Sequence, residues 1–173
     1  MENSGCIQIY MGDGKGKTTA AVGLAVRAAG SGMKVLFCQF LKGRQTGEIA
    51  PLEQLGVTVL RTGGVKKFIP GMTEEEKREC AAEQRACFDR MRAHMGEFGL
   101  IVLDEVLGAI ETGMLSCAEV AALCREKPAA AELVLTGRIS PRELLEAADY
   151  VSEIRCVRHP YEKGLGARKG IEY

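Results

Sequence analysis

Tryptophan is absent from this chain, histidine occurs twice, and aromatic residues make up only 5% of it. A core with so few aromatics has to be built from aliphatic side chains, alanine and cysteine. With His94 and His159 as the two histidines, no Ser-His or Cys-His pair is evident for nucleophilic catalysis. An excess of one charge is lacking too, because 23 basic residues balance 23 acidic ones and the formal net charge is +0. Such a chain has no broad basic field, so no nucleic-acid partner is expected. No apolar run approaches the ~20 residues of a membrane span. Met1-Glu2-Asn3-Ser4 lacks the charged and apolar regions of a signal peptide. The expectation is a cytoplasmic protein with no membrane partner. The seven cysteines are odd in number and none falls in C-x-x-C. Cys80 and Cys87, like Cys117 and Cys124, are spaced to share a helix face two turns apart. They read as reduced, buried, small apolar side chains and not as a structural metal site.

What is present begins with a phosphate-binding loop. Cys6-Ile7-Gln8-Ile9-Tyr10 reads as a strand, and Met11-Gly12-Asp13-Gly14-Lys15-Gly16-Lys17-Thr18-Thr19 follows it into a helix over about 18–29. Glycines there let backbone N–H groups point into one concavity and cradle phosphate oxygens, and the helix aims its positive end at the same spot. Lys17 supplies a point charge, Lys15 is a secondary phosphate candidate, and the Thr18 hydroxyl suits Mg²⁺ (or Mn²⁺). The loop departs from G-x-x-x-x-G-K-[ST] in having Met11 at the first glycine position, with Gly12 one residue closer.

The remaining pattern alternates strand and helix. Apolar runs at Val35–Cys38, Val57–Leu60, Leu100–Leu103, Glu132–Leu135 and Val151–Val157 suit strands buried on both faces of a parallel sheet. Thr73 with Glu76 opens a helix to about Met95, Ser116 with Glu119 opens another, and Ser140-Pro141-Arg142-Glu143 a third, with Pro141 in the first turn. This predicts one α/β domain over 1–173, a P-loop NTPase-like (RecA-like), doubly wound, mainly parallel sheet of about six strands flanked by helices. Three irregular segments, 42–55, 61–72 and 159–173, read as functional loops.

A second constellation completes a nucleotide site. Leu100-Ile101-Val102-Leu103 ends in Asp104-Glu105, the placement of an acidic group that holds Mg²⁺ directly or through water beside the loop hydroxyl. Thr136-Gly137-Arg138 leaves the fifth strand in the same way, and Arg138 there can fork onto phosphate oxygens. These motifs do not say which bond of ATP breaks. A kinase or phosphohydrolase acting on the terminal phosphate meets the same requirements.

Taken together, the P-loop, Gln39-Phe40-Leu41-Lys42-Gly43, Gly47-Glu48, Leu103-Asp104-Glu105, Thr136-Gly137-Arg138, Ala148–Glu153 and the ending from His159-Pro160-Tyr161 to Gly170-Ile171-Glu172-Tyr173 resemble the ATP:corrinoid adenosyltransferases of the CobA type. The short-spaced P-loop is itself a property of that family. The resemblance implies transfer of the 5′-deoxyadenosyl group of ATP to the cobalt(I) of a reduced corrinoid, with triphosphate leaving, and ATP held reversed relative to ordinary P-loop enzymes. It implies Lys17, Glu105 and Arg138 as catalytic residues, and Glu105 as the direct metal ligand with Asp104 supporting. Gln39 and Lys42 are placed near the nucleotide or the corrinoid, and Phe68 matches a Phe that crowds the lower face of cobalt. A homodimer and a reduced flavoprotein as electron donor are implied as partners. Two departures stand out. Some members carry a Trp two residues beyond that Phe, whereas Ile69-Pro70-Gly71-Met72 follows here. Better-known members also carry an N-terminal helical extension, while this sequence starts about five residues before its first strand, so the cover over the corrinoid is expected to be either missing or supplied elsewhere, as by the C-terminal tail.

Overall fold

Six short strands, β1 (Ile7–Met11), β2 (Val35–Gln39), β3 (Thr58–Arg61), β4 (Leu100–Asp104), β5 (Glu132–Thr136) and β6 (Tyr150–Glu153), form one sheet in the order β3-β2-β4-β5-β1-β6. Every pairing is parallel. The structure, a computed structural model, describes residues 4–43, 45–63 and 71–173.

The apolar runs are near-continuous because the central strands are covered on both sides. Val35 and Phe37 of β2, Leu100 and Val102 of β4, and Val134 of β5 face one layer. Leu36 and Cys38, Ile101 and Leu103, and Leu133 and Leu135 face the other. The first layer is α1 (Lys17–Gly30) with α2 (Ile49–Gln54), and α1 buries Ala21, Ala25 and Ala28. Small residues on that stripe let α1 lie close over β4 and β5 while it carries the chain from β1 to β2. The second layer contains α3 (Glu74–His94), α4 (Val106–Glu111), α5 (Cys117–Glu126) and α6 (Arg142–Ala147). Burying a side chain of Leu or Phe size contributes about 1.5–3 kcal/mol, so Phe37, Phe40, Phe88 and Met91, all fully buried, matter most individually.

Both capping boxes expected at Thr73 and Ser116 form, with reciprocal side-chain bonds to Glu76 and Glu119. The third does not. Pro141 keeps an extended backbone, ψ 146, and becomes the N-cap itself, so α6 starts one residue later and Glu143 misses the reciprocal position. The last strand ends at Glu153, before the expected Val157. Two helices went unread: α2, inside the polar segment 42–55, and α4, directly after Glu105. The tail contributes one 3-10 turn, Pro160–Lys163. All seven cysteines are free, and the thiols of Cys38 and Cys87 lie 3.4 Å apart in the core between β2 and α3.

Register then positions the chemistry. Gln39 of β2 is aligned with Asp104 of β4, and Leu103 with Leu135 of β5. Gln39, Asp104 and Thr136 therefore stand in a row at the carboxyl edge of three adjacent strands, where parallel sheets open a ligand crevice.

Candidate functional site

The loop after β1 is shaped by contact with the strand beside it. Gly12 has φ 116, and a Cβ on it would lie 2.3 Å from the Ile154 carbonyl oxygen. A Cβ on Gly14 would lie 2.7 Å from the same oxygen, which accepts the Gly14 N–H at 2.8 Å. The Gly12 N–H donates to the Arg138 carbonyl at 2.9 Å. These two glycines thus let the loop pass close against the exits of β5 and β6. Gly16, with φ 119, is the left-handed residue from which α1 starts. Asp13 accepts the Cys156 N–H at 2.9 Å and so ties the loop to the segment after β6.

Asp104 is the hub of the site. Its side chain is fully buried. One oxygen accepts from the Thr18 hydroxyl at 2.9 Å and the Thr136 hydroxyl at 2.8 Å. The other accepts from Lys42 Nζ at 2.7 Å and Gln39 Nε2 at 3.2 Å. A buried carboxylate is tolerated only with such pairing. Lys42 Nζ also donates to Thr18 Oγ1 at 3.1 Å. The Gln39 amide donates to Glu48 at 3.0 Å, and Arg61 donates to the Gln39 side-chain oxygen Oε1 at 3.0 Å.

Glu105 caps α4 in the left-handed region, φ 62, and donates its N–H to Thr136 Oγ1 at 2.9 Å. Burial and the neighbouring Asp104 push its carboxyl pKa up, against the pull of Lys42, Lys17 and Arg138. Lys17 is pushed down by burial, and its ammonium donates to the Gly14 carbonyl at 2.7 Å. Arg138 is exposed, and its charge acts on both Lys17 and Glu105. Lys15 pairs with Glu172 of the tail at 2.9 Å. Glu172, gripped first by Arg168 and then by Lys15, is pushed down to about 2. Thr19 is exposed on the first turn of α1, and Phe68 lies outside the described residues.

This geometry joins a phosphate loop to a hydroxyl–carboxylate pair at the edge of a parallel sheet. A sequence model of the family described as ATP:corrinoid adenosyltransferase BtuR/CobO/CobP matches residues 3–173. The chain belongs to this family. It is 37% identical over 181 residues to the corrinoid adenosyltransferase CobA of Salmonella typhimurium, an alignment spanning 99% of this chain and 87% of the relative. The corrinoid adenosyltransferase of Escherichia coli is 36% identical over 175 residues, with 99% and 87% covered. That of Pseudomonas aeruginosa is 34% identical over 180 residues, with 99% and 85% covered. As an ATP:corrinoid adenosyltransferase, the chain is an enzyme of cobalamin biosynthesis whose substrates are ATP and a corrinoid.

In this adenosyltransferase, Thr18, Gln39, Lys42 and Asp104 come together as a single hydrogen-bonded group. Lys17, Glu105 and Arg138 lie within electrostatic reach of one another. Four participants were not assigned a role from sequence: Glu48, Arg61, Thr136 and Gln84. Gln84 accepts the Leu41 N–H at 3.0 Å and fixes the loop that carries Lys42. Its signal was a polar residue within the apolar stripe Cys80, Cys87, Phe88 and Met91 of α3, where Gln84 is fully buried. Thr136 had a signal too, as the last residue of β5 before Gly137. Among the described residues, no helix is long and apolar enough to cross a membrane.

Proposed function

We propose that the chain transfers the 5′-deoxyadenosyl group of ATP to the cobalt(I) of a reduced corrinoid and releases inorganic triphosphate. The cobalt electron pair forms the bond to the 5′ carbon while the carbon–oxygen bond breaks, and triphosphate leaves with that bond's electrons. The nucleophile is therefore on the substrate, which agrees with a site that offers no nucleophilic Ser, Cys or His pair. The observation that carries the reading is the match of residues 3–173 to the ATP:corrinoid adenosyltransferases, and the buried Asp104 bonded to the Thr18 hydroxyl beside the phosphate loop supplies the nucleotide site it needs.

The residues then act by positioning and by receiving charge. Backbone N–H groups of Lys15, Gly16 and Lys17 cradle the triphosphate, those of Gly12 and Gly14 being bonded to the Arg138 and Ile154 carbonyls, Lys17 and Lys15 supply cations, and Arg138 reaches a phosphate edge. Gln39 and Lys42 orient the nucleotide or the corrinoid from β2. Thr18, Asp104 and Glu105 suit Mg²⁺ or Mn²⁺, since a hydroxyl and two carboxylates are hard oxygen donors. Among the described residues no group of three or more His, Cys, Asp or Glu forms a metal cluster. That suits an ion held partly by substrate phosphates and water and not by an all-protein cage. Such an ion, when bound, neutralises charge developing on the triphosphate.

A single domain over 1–173, a cytoplasmic setting, a reduced flavoprotein as electron donor and a homodimer belong to the same proposal. The open edge of β6, where Tyr150 and Val151 are exposed, supports the dimer. The test is an anaerobic reaction of Mg·ATP with chemically reduced cobalamin, following the visible spectrum and phosphate products together. A light-sensitive cobalt–carbon product with equimolar triphosphate is expected. ADP or free phosphate with an unchanged corrinoid spectrum would establish the kinase or phosphohydrolase instead. Lys17→Ala should abolish turnover, and near-normal activity would remove the loop from the mechanism.

A further inference from the structure

The ammonium of Lys42 sits against two of the oxygens assigned above to a divalent cation. It lies 2.7 Å from Asp104 Oδ2 and 3.1 Å from Thr18 Oγ1, with Glu48 Oε1 at 3.9 Å. We infer that Lys42 is a built-in counter-cation, which neutralises the metal site of the nucleotide-free enzyme and is displaced toward Glu48 when a divalent metal arrives with ATP. This deepens the metal assignment made above to Thr18, Asp104 and Glu105, and rests on it.

Asp104 supplies the reason for such a device. A fully buried carboxylate without a cation is costly, and breaking a buried pair by removing one partner is strongly destabilising. Lys42 meets that need before any substrate is present. It does so through the same lone pairs that a metal uses, because Thr18 Oγ1 gives its hydrogen to Asp104 and has only lone pairs left for a cation. Two cations cannot share those oxygens, since charges this close repel strongly in a partly buried site.

The surroundings allow the exchange. The base of Lys42 is fixed: Leu41 holds φ 56 with its N–H on Gln84, and the Lys42 carbonyl accepts from Arg61 at 3.2 Å. Its side chain is 22% exposed, so the ammonium can move through solvent-accessible space. Glu48 is the waiting acceptor, held beside Asp104 by the Gln39 amide that bonds both carboxylates. The charge count explains why metal and nucleotide enter together. Free metal has to evict Lys42 at a site that is already neutralised, whereas the triphosphate brings the negative charge that makes room for a second cation.

The test is a titration of the full chain with Mn²⁺ in the absence of ATP, reading free Mn²⁺ by its EPR signal. Lys42→Met should bind Mn²⁺ at least tenfold more tightly than the wild type, Lys42→Gln likewise, and Lys42→Arg should remain as weak as the wild type. Adding Asp104→Asn to Lys42→Met should remove the gain, which ties it to this site. Equal or weaker Mn²⁺ binding in folded Lys42→Met and Lys42→Gln overturns the proposal. A parallel wild-type titration with ATP present separates the two levels. If ATP recruits Mn²⁺ to the wild type but the variants show no gain, only the counter-cation role fails. If the protein never takes up Mn²⁺ beyond what ATP itself binds, the metal assignment fails and the counter-cation role falls with it.

Discussion

Glu105 is held in two unfavourable ways at once. A non-glycine residue at φ 62 costs about 1–3 kcal/mol, and its carboxyl is partly buried next to Asp104. Its folded pKa is raised above the usual value of 4.5, first by burial and then by Asp104. A raised carboxyl pKa means that the fold favours the protonated form. That contribution is fully present below pH 4.5 and is lost as pH rises through the raised folded value. At neutral pH the ionised Glu105 therefore opposes folding of the metal-free protein. Glu105→Gln should raise the Tm at pH 7.5, with the gain shrinking toward pH 4, while turnover falls on the order of a hundredfold, the scale of losing one pre-organised electrostatic group. Metal-free thermal melts at both pH values check this. A variant that melts lower at both would mean that Glu105 makes a stabilising contact that outweighs its burial. The trade of stability for function explains why a carboxylate sits there.

At the scale of elements, the sequence was legible where the physics is local. Strands β2, β4 and β5 announce themselves because burial on both faces makes their runs apolar, and the Thr73 and Ser116 caps involve residues three apart. Pro141 defeated the same logic at α6, since an extended proline is a good N-cap neighbour but displaces the box by one position. Helices α2 and α4 are six residues each, too short to build a periodic signal. The pairing of Asp104 with Thr18 and Lys42 depends on contacts 86 and 62 residues apart in sequence. No spacing rule encodes those contacts. Gln84 is the sharpest case, because its side chain on α3 holds the Leu41 N–H, 43 residues away in sequence. Gln84→Met keeps the volume but leaves the Leu41 N–H without its acceptor. The variant should lose about 1–3 kcal/mol of stability by urea unfolding and should weaken ATP binding more than Lys15→Ala does. An unchanged unfolding midpoint would show that the loop finds another acceptor.

Over the whole molecule, exposed apolar side chains are distributed unevenly. Among the described residues, Ile139, Tyr150, Val151, Val157, Tyr161, Leu165, Ile171 and Tyr173 all fall in the final stretch of chain. Strand β6 lies at the end of the sheet with only β1 as its paired neighbour, and its four residues are exposed. An open edge with apolar side chains is a template for another strand, and monomeric proteins usually blunt such an edge with charge or proline. At the opposite end, β3 has α2 and α3 packed against it. A twofold pairing of β6 with its copy would join two sheets into one and bury Tyr150 and Val151. Light scattering coupled to size exclusion should therefore give the mass of two chains for the wild type. Val151→Lys places an ammonium opposite its own copy across the edge, and like charges on neighbouring strands repel, so this variant should elute as one chain at the same loading. A Val151→Lys protein that remains dimeric would move the interface elsewhere, and a monomeric wild type would remove the dimer from the mechanism altogether.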